Sequence, residues 1–212
     1  MLEKDVSTST LFVLGSFSKG MVHFRKIEPY VECQRAGSVR GALVRLPSGL
    51  IALCPGEIQS VSGFSVTLRK PELLLSLLDE FRGVHHANPD LGLFHRRSIT
   101  VQLNSAGEDG APTPRFELAQ TYFINLQKIP RGTVQLPDAD WRRRFAEQPP
   151  LFERLSEKQR SYILKLGGCS GRDIVPIDLD LYRELMHLEI VVDKGRRLAL
   201  SRLGQDLFRL LN

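Results

Sequence analysis

Two hydrophobic rhythms run along the chain. In the first part, apolar residues alternate with polar ones at the two-residue period of a strand with one buried face. Thr10-Leu11-Phe12-Val13-Leu14 is a short β-rich run that stops at Gly15-Ser16. The runs from Ser38 to Leu46 and from Val61 to Leu68 each hold a glycine, Gly41 and Gly63, among alternating apolar positions. Such glycines are expected at bulges or sharp bends of a strongly coiled sheet. Pro71 to Phe81 then switches to helical leucine spacing, with proline at its start and Gly83 just past its end. Strands resume over Arg97 to Leu103 and Leu118 to Ile124, around a loop from Asn104 to Pro114 rich in Gly, Pro and Asp. This order predicts an α+β fold, a small mixed β-barrel with packed helices.

The texture changes after Trp141-Arg142-Arg143-Arg144-Phe145, and Gln148-Pro149-Pro150 reads as a stiff connection. The predicted boundary separates residues 1–147 from a smaller domain of residues 148–212. In the latter, Ser156 is an expected N-cap and Gly167 an expected C-cap for one helix, and Asp178 caps a second over Leu179 to Leu188. Ile190 to Leu200 reads as a hairpin turning on Asp193-Lys194-Gly195, and Ser201 caps a last helix carrying Leu203, Leu207, Leu210 and Leu211. Helix, helix, hairpin, helix is the order of a winged-helix-like domain.

Composition narrows the function classes. With 42% hydrophobic and 25% charged residues, the chain has the make-up of a folded globular protein. No uninterrupted apolar run approaches the roughly 20 residues that cross a membrane. The first ten residues are acidic where a secretory leader would be basic, so a cytoplasmic location is expected. Cys33, Cys54 and Cys169 are too few and too scattered for a disulfide framework, and are expected to be reduced and mostly buried. His85, His86 and His95 lie in one loop region without a metal-ligand spacing, so neither a metal nor a cofactor is expected. The net charge of +5 is concentrated late: from Trp141 onward there are 14 Lys/Arg against 10 Asp/Glu.

Six short motifs, in order, resemble the γ-glutamylcyclotransferase-like (AIG2-like) family. Val13-Leu14-Gly15-Ser16-Phe17 is similar to the family's opening Val-Tyr-Gly-Ser/Thr-Leu loop, and Val39-Arg40-Gly41 and Val61-Ser62-Gly63 to its paired Val-x-Gly strands. Leu78-Asp79-Glu80-Phe81-Arg82-Gly83 resembles the signature Leu-Asp-x-Phe-Glu-Gly. Phe94-His95-Arg96 resembles the Tyr-x-Arg strand entry, Ala119-Gln120-Thr121-Tyr122 the later Ala-x-x-Tyr strand, and Asp138-Ala139-Asp140-Trp141 the closing Gly-x-Trp. The resemblance spans about residues 9 to 145. It implies a pocket formed by Leu14, Gly15, Ser16, Phe17, Arg82 and Tyr122. It also implies a reaction in which a substrate's α-amine attacks its own γ-carbonyl and releases 5-oxoproline, with a carboxylate moving the protons.

Arg82 stands where that carboxylate belongs. A guanidinium keeps its proton up to a pH above about 12, so it can bind an anion but cannot act as a base. Leu14 replaces the motif's tyrosine and removes its hydroxyl. Glu80 is the nearest substitute acid, yet two residues along a helix rotate a side chain by about 200°, away from the pocket. Asp79 belongs to the signature as a structural residue, and Glu57 and Asp90 lie in expected loops. The implied protein is a non-catalytic relative acting as a regulator or scaffold, its pocket holding a small anionic or γ-glutamyl-like ligand. Arg82 pairing with a local acid stays open, as does an active γ-glutamyl cyclotransferase with a relocated carboxylate.

The tail offers a third reading, a DNA-binding regulator. Arg183, Lys194, Arg196 and Arg197 are its candidate contacts to nucleic acid or to a partner. The predicted second helix nearly balances its charges, with Asp178, Asp180, Arg183, Glu184 and His187, so a protein partner is favoured over DNA.

Overall fold

The structure, a computed structural model, describes residues 10–104, 114–169, 173–195 and 197–212, with the side chains of Glu57 and Ile58 outside that description. The chain divides into two compact units, Met1–Leu46 with Leu50–Ala146, and Pro47–Gly49 with Glu147–Asn212.

In the first unit, β1 (Thr10–Val13) leads through a 3-10 turn (Gly15–Phe17) to a short α1 (Phe24–Ile27). Next come β2 (Val31–Arg45), β3 (Ile51–Leu68), α2 (Pro71–Arg82), β4 (Phe94–Leu103), β5 (Arg115–Ile124), β6 (Val134–Gln135) and α3 (Trp141–Glu147). The strands form one mixed six-stranded sheet in the order β1-β3-β5-β4-β2-β6, with further pairings β1–β5 and β2–β3. Its spine is the long antiparallel hairpin of β2 and β3, paired from Val31↔Leu68 to Arg45↔Ile51. The two predicted strands are the inner parts of these much longer ones, because the flanking polar residues also find ladder partners. Gly41 sits where expected, at a register shift between Gly41 and Ala42. Gly63 does not: it pairs in register with Gly37, and its role is clearance, since a Cβ there would lie 2.4 Å from the Phe12 ring and 2.6 Å from the Val13 carbonyl. The core is an apolar cluster of β1, β2, β3, β4 and β5 closed by α3, with Phe12, Leu43, Leu53, Val101, Phe123 and Trp141 among its members. Trp141 Nε1–H donates to the Ser62 carbonyl at 2.7 Å, so burial of the indole leaves its one donor satisfied.

The second unit contains α4 (Leu151–Arg154), α5 (Glu157–Gly168), α6 (Leu179–His187), the hairpin β7 (Val191–Asp193) and β8 (Leu198–Leu200), and α7 (Arg202–Leu211). Ser156, Asp178 and Ser201 cap α5, α6 and α7 as expected, each side chain accepting a main-chain N–H of the first turn. Gly167 is not the C-cap of α5, which runs on through Gly168 to a cap at Cys169. Gly167 is small for another reason: a Cβ would meet the Phe208 ring of α7 at 2.3 Å. Ile163, Leu185, Ile190 and Leu207 are fully buried and form this unit's own core.

The cysteines are free, but the expectation that most are buried is corrected. Only Cys54 is buried, Cys169 is partly accessible, and Cys33 is exposed where the β2 register slips between Val31 and Cys33. Among the described residues no helix is long and apolar enough to cross a membrane.

Candidate functional site

The last turns of α2 build two different environments on two flanks of one helix. Leu74 and Leu78, four residues apart, are buried, and the same line continues to Arg82. Leu75 and Asp79, also four apart and also buried, form the adjacent line. Gly83 ends the helix in the left-handed region at φ 66°, and its N–H closes on the carbonyls of Asp79 and Glu80. The signature Leu78 to Gly83 is therefore a helix end that aims Arg82 one way and Asp79 another.

Arg82 enters a cavity walled by β1 and its following turn, by β3 at Ile51–Leu53, and by Thr121 and Tyr122 of β5. The guanidinium carbon lies 4.7 Å from the centre of the Phe17 ring, 5.0 Å from Phe94 and 5.8 Å from Tyr122. The ring faces carry the negative end of their quadrupoles, so this aromatic cage is the cation's main compensation. Among the described residues no carboxylate pairs with it, and its buried Nε has no hydrogen-bond partner. Arg82 as a whole is half-buried, but its head group is packed among the rings, and the loss of solvent there pulls its pKa down to about 10. With the arginine in place, the cavity leaves about 30 Å³, room on the scale of water molecules.

Asp79 is the opposite case. Its carboxylate is 4% exposed and accepts from Tyr122 Oη at 2.8 Å and from Arg96 Nε at 2.9 and 3.2 Å. His86 Nε2 stands 2.9 Å from its other face. Burial, then the Asp79 charge and hydrogen bond, push the Tyr122 phenol far above its ordinary pKa, so Tyr122 is a neutral donor to that carboxylate. Among the described residues an Arg82 paired with a local acid finds no partner: the acid three residues before it on the helix is already held by Arg96, which strand β4 delivers from 17 residues away.

Of the expected pocket residues, Leu14, Phe17, Arg82 and Tyr122 line this cavity together. Gly15 and Ser16 lie in the turn between two lining residues; there Gly15 adopts φ 61° and the buried Ser16 accepts the His23 N–H on its carbonyl. Glu80 is exposed, as its rotation along the helix required, and Asp90 is exposed in a 3-10 turn. Glu57 is part of β3 rather than a loop, with its side chain outside the described residues. In the second unit, Lys194 and Arg197 are exposed at the hairpin turn, Arg183 lies 3.7 Å from Asp180, and Arg196 falls outside the described residues. Sequence reasoning missed Phe94 as a wall of the cage and Arg96 and His86 as partners of Asp79. The signal for Phe94 and Arg96 was available, because residues two apart on a strand share a face. Among the described residues no group of three or more His, Cys, Asp or Glu side chains is placed to hold a metal.

No protein-family model matches the chain, and no curated protein matches it. Solved structures do share parts of its shape. YkqA from Bacillus subtilis is 17% identical over 66% of this chain, with a TM-score of 0.44, and the chain spans 41% of that protein's length. Allophanate hydrolase from Kluyveromyces lactis is 15% identical over 61% of this chain and 19% of its own, with a TM-score of 0.40. A yeast γ-glutamyl cyclotransferase specific to glutathione is 10% identical over 95% of this chain and 96% of its own, with a TM-score of 0.38. Likenesses of this size assign no activity.

Proposed function

We propose that the first unit is a γ-glutamylcyclotransferase-like domain that has lost the family's reaction, and that the protein acts as a regulatory or scaffolding interaction protein. The observation that carries this reading is Arg82 itself. A cation that cannot take a proton from an amine stands at the position where the resemblance calls for a carboxylate, and its cage is made of rings. The remaining cavity, about 30 Å³, is far below the about 300 Å³ or more that small-molecule sites occupy. That space is small for the γ-glutamyl-like ligand expected of the pocket, so binding one there requires the Arg82 side chain to move. The reading that a relocated acid sustains catalysis finds little support: Asp79 is buried on the other flank and saturated with donors, and Glu80 is exposed. A barrel is supported by strand pairings that return on themselves, from β2 to β3, β5, β4 and back to β2.

The test is direct. Purified protein incubated with γ-glutamyl amino acids, γ-glutamyl-lysine and glutathione releases no 5-oxoproline above an Arg82→Ala control. Turnover above that control overturns the reading.

The second unit carries the interaction role. The order α5, α6, hairpin, α7 supports a winged-helix-like module, and the near-balanced charges of α6 favour a protein partner. Lys194 and Arg197, exposed at the hairpin turn, favour the second reading, DNA binding. A salt titration with duplex DNA separates the two: nucleic-acid binding weakens steeply with salt and depends on Arg197, whereas no binding at low salt removes it.

A further inference from the structure

One edge of β4 is largely unpaired, and the strand itself carries Arg96 and Arg97 and no acidic residue. Along one side, β4 pairs with β5 over its whole length, from Phe94↔Ile124 to Leu103↔Arg115. On the other side it meets β2 only at Gly37↔Leu103 and Ser38↔Gln102. Among the described residues, no main-chain hydrogen bond from another segment reaches that second side over residues 94–101. Such an edge presents a row of donors and acceptors ready to extend the sheet.

A groove of about 770 Å³ follows this edge, lined by His95, Arg96, Arg97 and Ser98 in succession. Successive strand residues point to opposite faces, so a groove touching four in a row reaches the strand's edge, while Gln120 of β5, opposite Ser98, shows that it also covers part of the β4–β5 face. Its far wall is α2, with the loop carrying His85 and His86. We propose that this groove takes an extended acidic peptide segment of a partner protein, added to β4 as an extra strand.

The charge arrangement selects that occupant. Arg96 is held by Asp79, but Arg97 is exposed and no carboxylate among the described residues pairs with it. His95 adds a ring to β4 itself, and the groove's acids lie on the α2 wall, Asp79 already held by Arg96 and Glu72 exposed. A second copy of this chain is the wrong partner, because antiparallel self-pairing about Arg96-Arg97 sets cations opposite one another. An acidic strand places carboxylates there, while main-chain hydrogen bonds supply the affinity. The surface lies outside the cavity beside Arg82, so the proposal stands or falls independently of catalysis.

The experiment uses the full chain and three kinds of fluorescein-labelled peptide, followed by anisotropy. The first alternates glutamate and valine, the second alternates lysine and valine, and the third is the glutamate peptide N-methylated at every second residue, in either register. The acidic peptide is expected to bind and the basic one not. N-methylation in one register is expected to weaken binding by about tenfold or more, because it removes ladder donors. Arg97→Glu, at an exposed position, is expected to weaken the acidic peptide by about tenfold or more and to improve the basic one. The proposal is overturned if the acidic peptide does not bind, if both N-methylated registers bind as well as the parent, or if Arg97→Glu leaves binding unchanged.

Discussion

Arg82 belongs to the end of α2 and Arg96 reaches that end from β4, and the two meet opposite surroundings. Arg96 finds a buried carboxylate and forms a charge-assisted pair that a phenol and an imidazole complete. Arg82, three residues from that same carboxylate on α2, is turned to a ring cage to which no described residue adds an acid. The difference teaches that spacing on a helix permits a pair without securing it. The acid goes to whichever cation the tertiary structure brings into line with its oxygens. One arginine is thus compensated by a buried carboxylate, whereas the other has aromatic rings in its place.

The comparison breaks most sharply at Arg96. Arg96→Met leaves Asp79 buried without its cation, and the loss in unfolding free energy is expected to be about 3 kcal/mol by urea denaturation. A loss near zero would mean that His86 and Tyr122 suffice, and that the two arginines differ less than their geometry says.

Arg82→Met is expected to act in the opposite direction, raising stability by about 1–3 kcal/mol, because it removes a poorly compensated cation and keeps an apolar chain in the cage. The pH dependence sharpens this. At neutral pH Arg82 is charged in both the folded and unfolded states, so the burial penalty is fully present. With a folded pKa of about 10, below arginine's ordinary value, the folded protein gives up that proton first as pH rises, and the penalty fades above about 10. The stability gap between wild type and Arg82→Met should be flat through neutral pH and narrow above pH about 10. A gap that widens there would contradict the assigned burial.

Tyr122→Phe keeps the ring over Arg82 and removes the hydroxyl from Asp79. The expected cost is about 1–2 kcal/mol, with the near-ultraviolet circular dichroism of the folded state otherwise retained. His86→Ala is the smallest test, because the His86 side chain is 66% exposed, and a change of under about 1 kcal/mol is expected from thermal unfolding. A larger loss would mark the imidazole as a strap that holds its loop to α2.

Much of the architecture was legible in the residues. The caps Ser156, Asp178 and Ser201 work within three residues of themselves, so their signal is local. The helix from Pro71 to Gly83 was likewise fixed by proline, leucine spacing and glycine. The lengths of β2 and β3 were not legible, because polar residues join a ladder whenever a partner strand passes, and no local pattern records the partner. Gly167 misled for the same reason: it resembles a helix terminator, but the helix continues because Phe208, 41 residues further on, packs against it.

By itself the sequence determined the order of the longer elements, the N-caps Ser156, Asp178 and Ser201, and a guanidinium just before Gly83, because these depend on residue chemistry over a few positions. Only the tertiary structure decided that Arg82 would face Phe17, Phe94 and Tyr122, that Asp79 would belong to Arg96, and that about 30 Å³ would remain beside them. Those outcomes depend on strand register and on which groups lose water together, and both are set by contacts between distant parts of the chain.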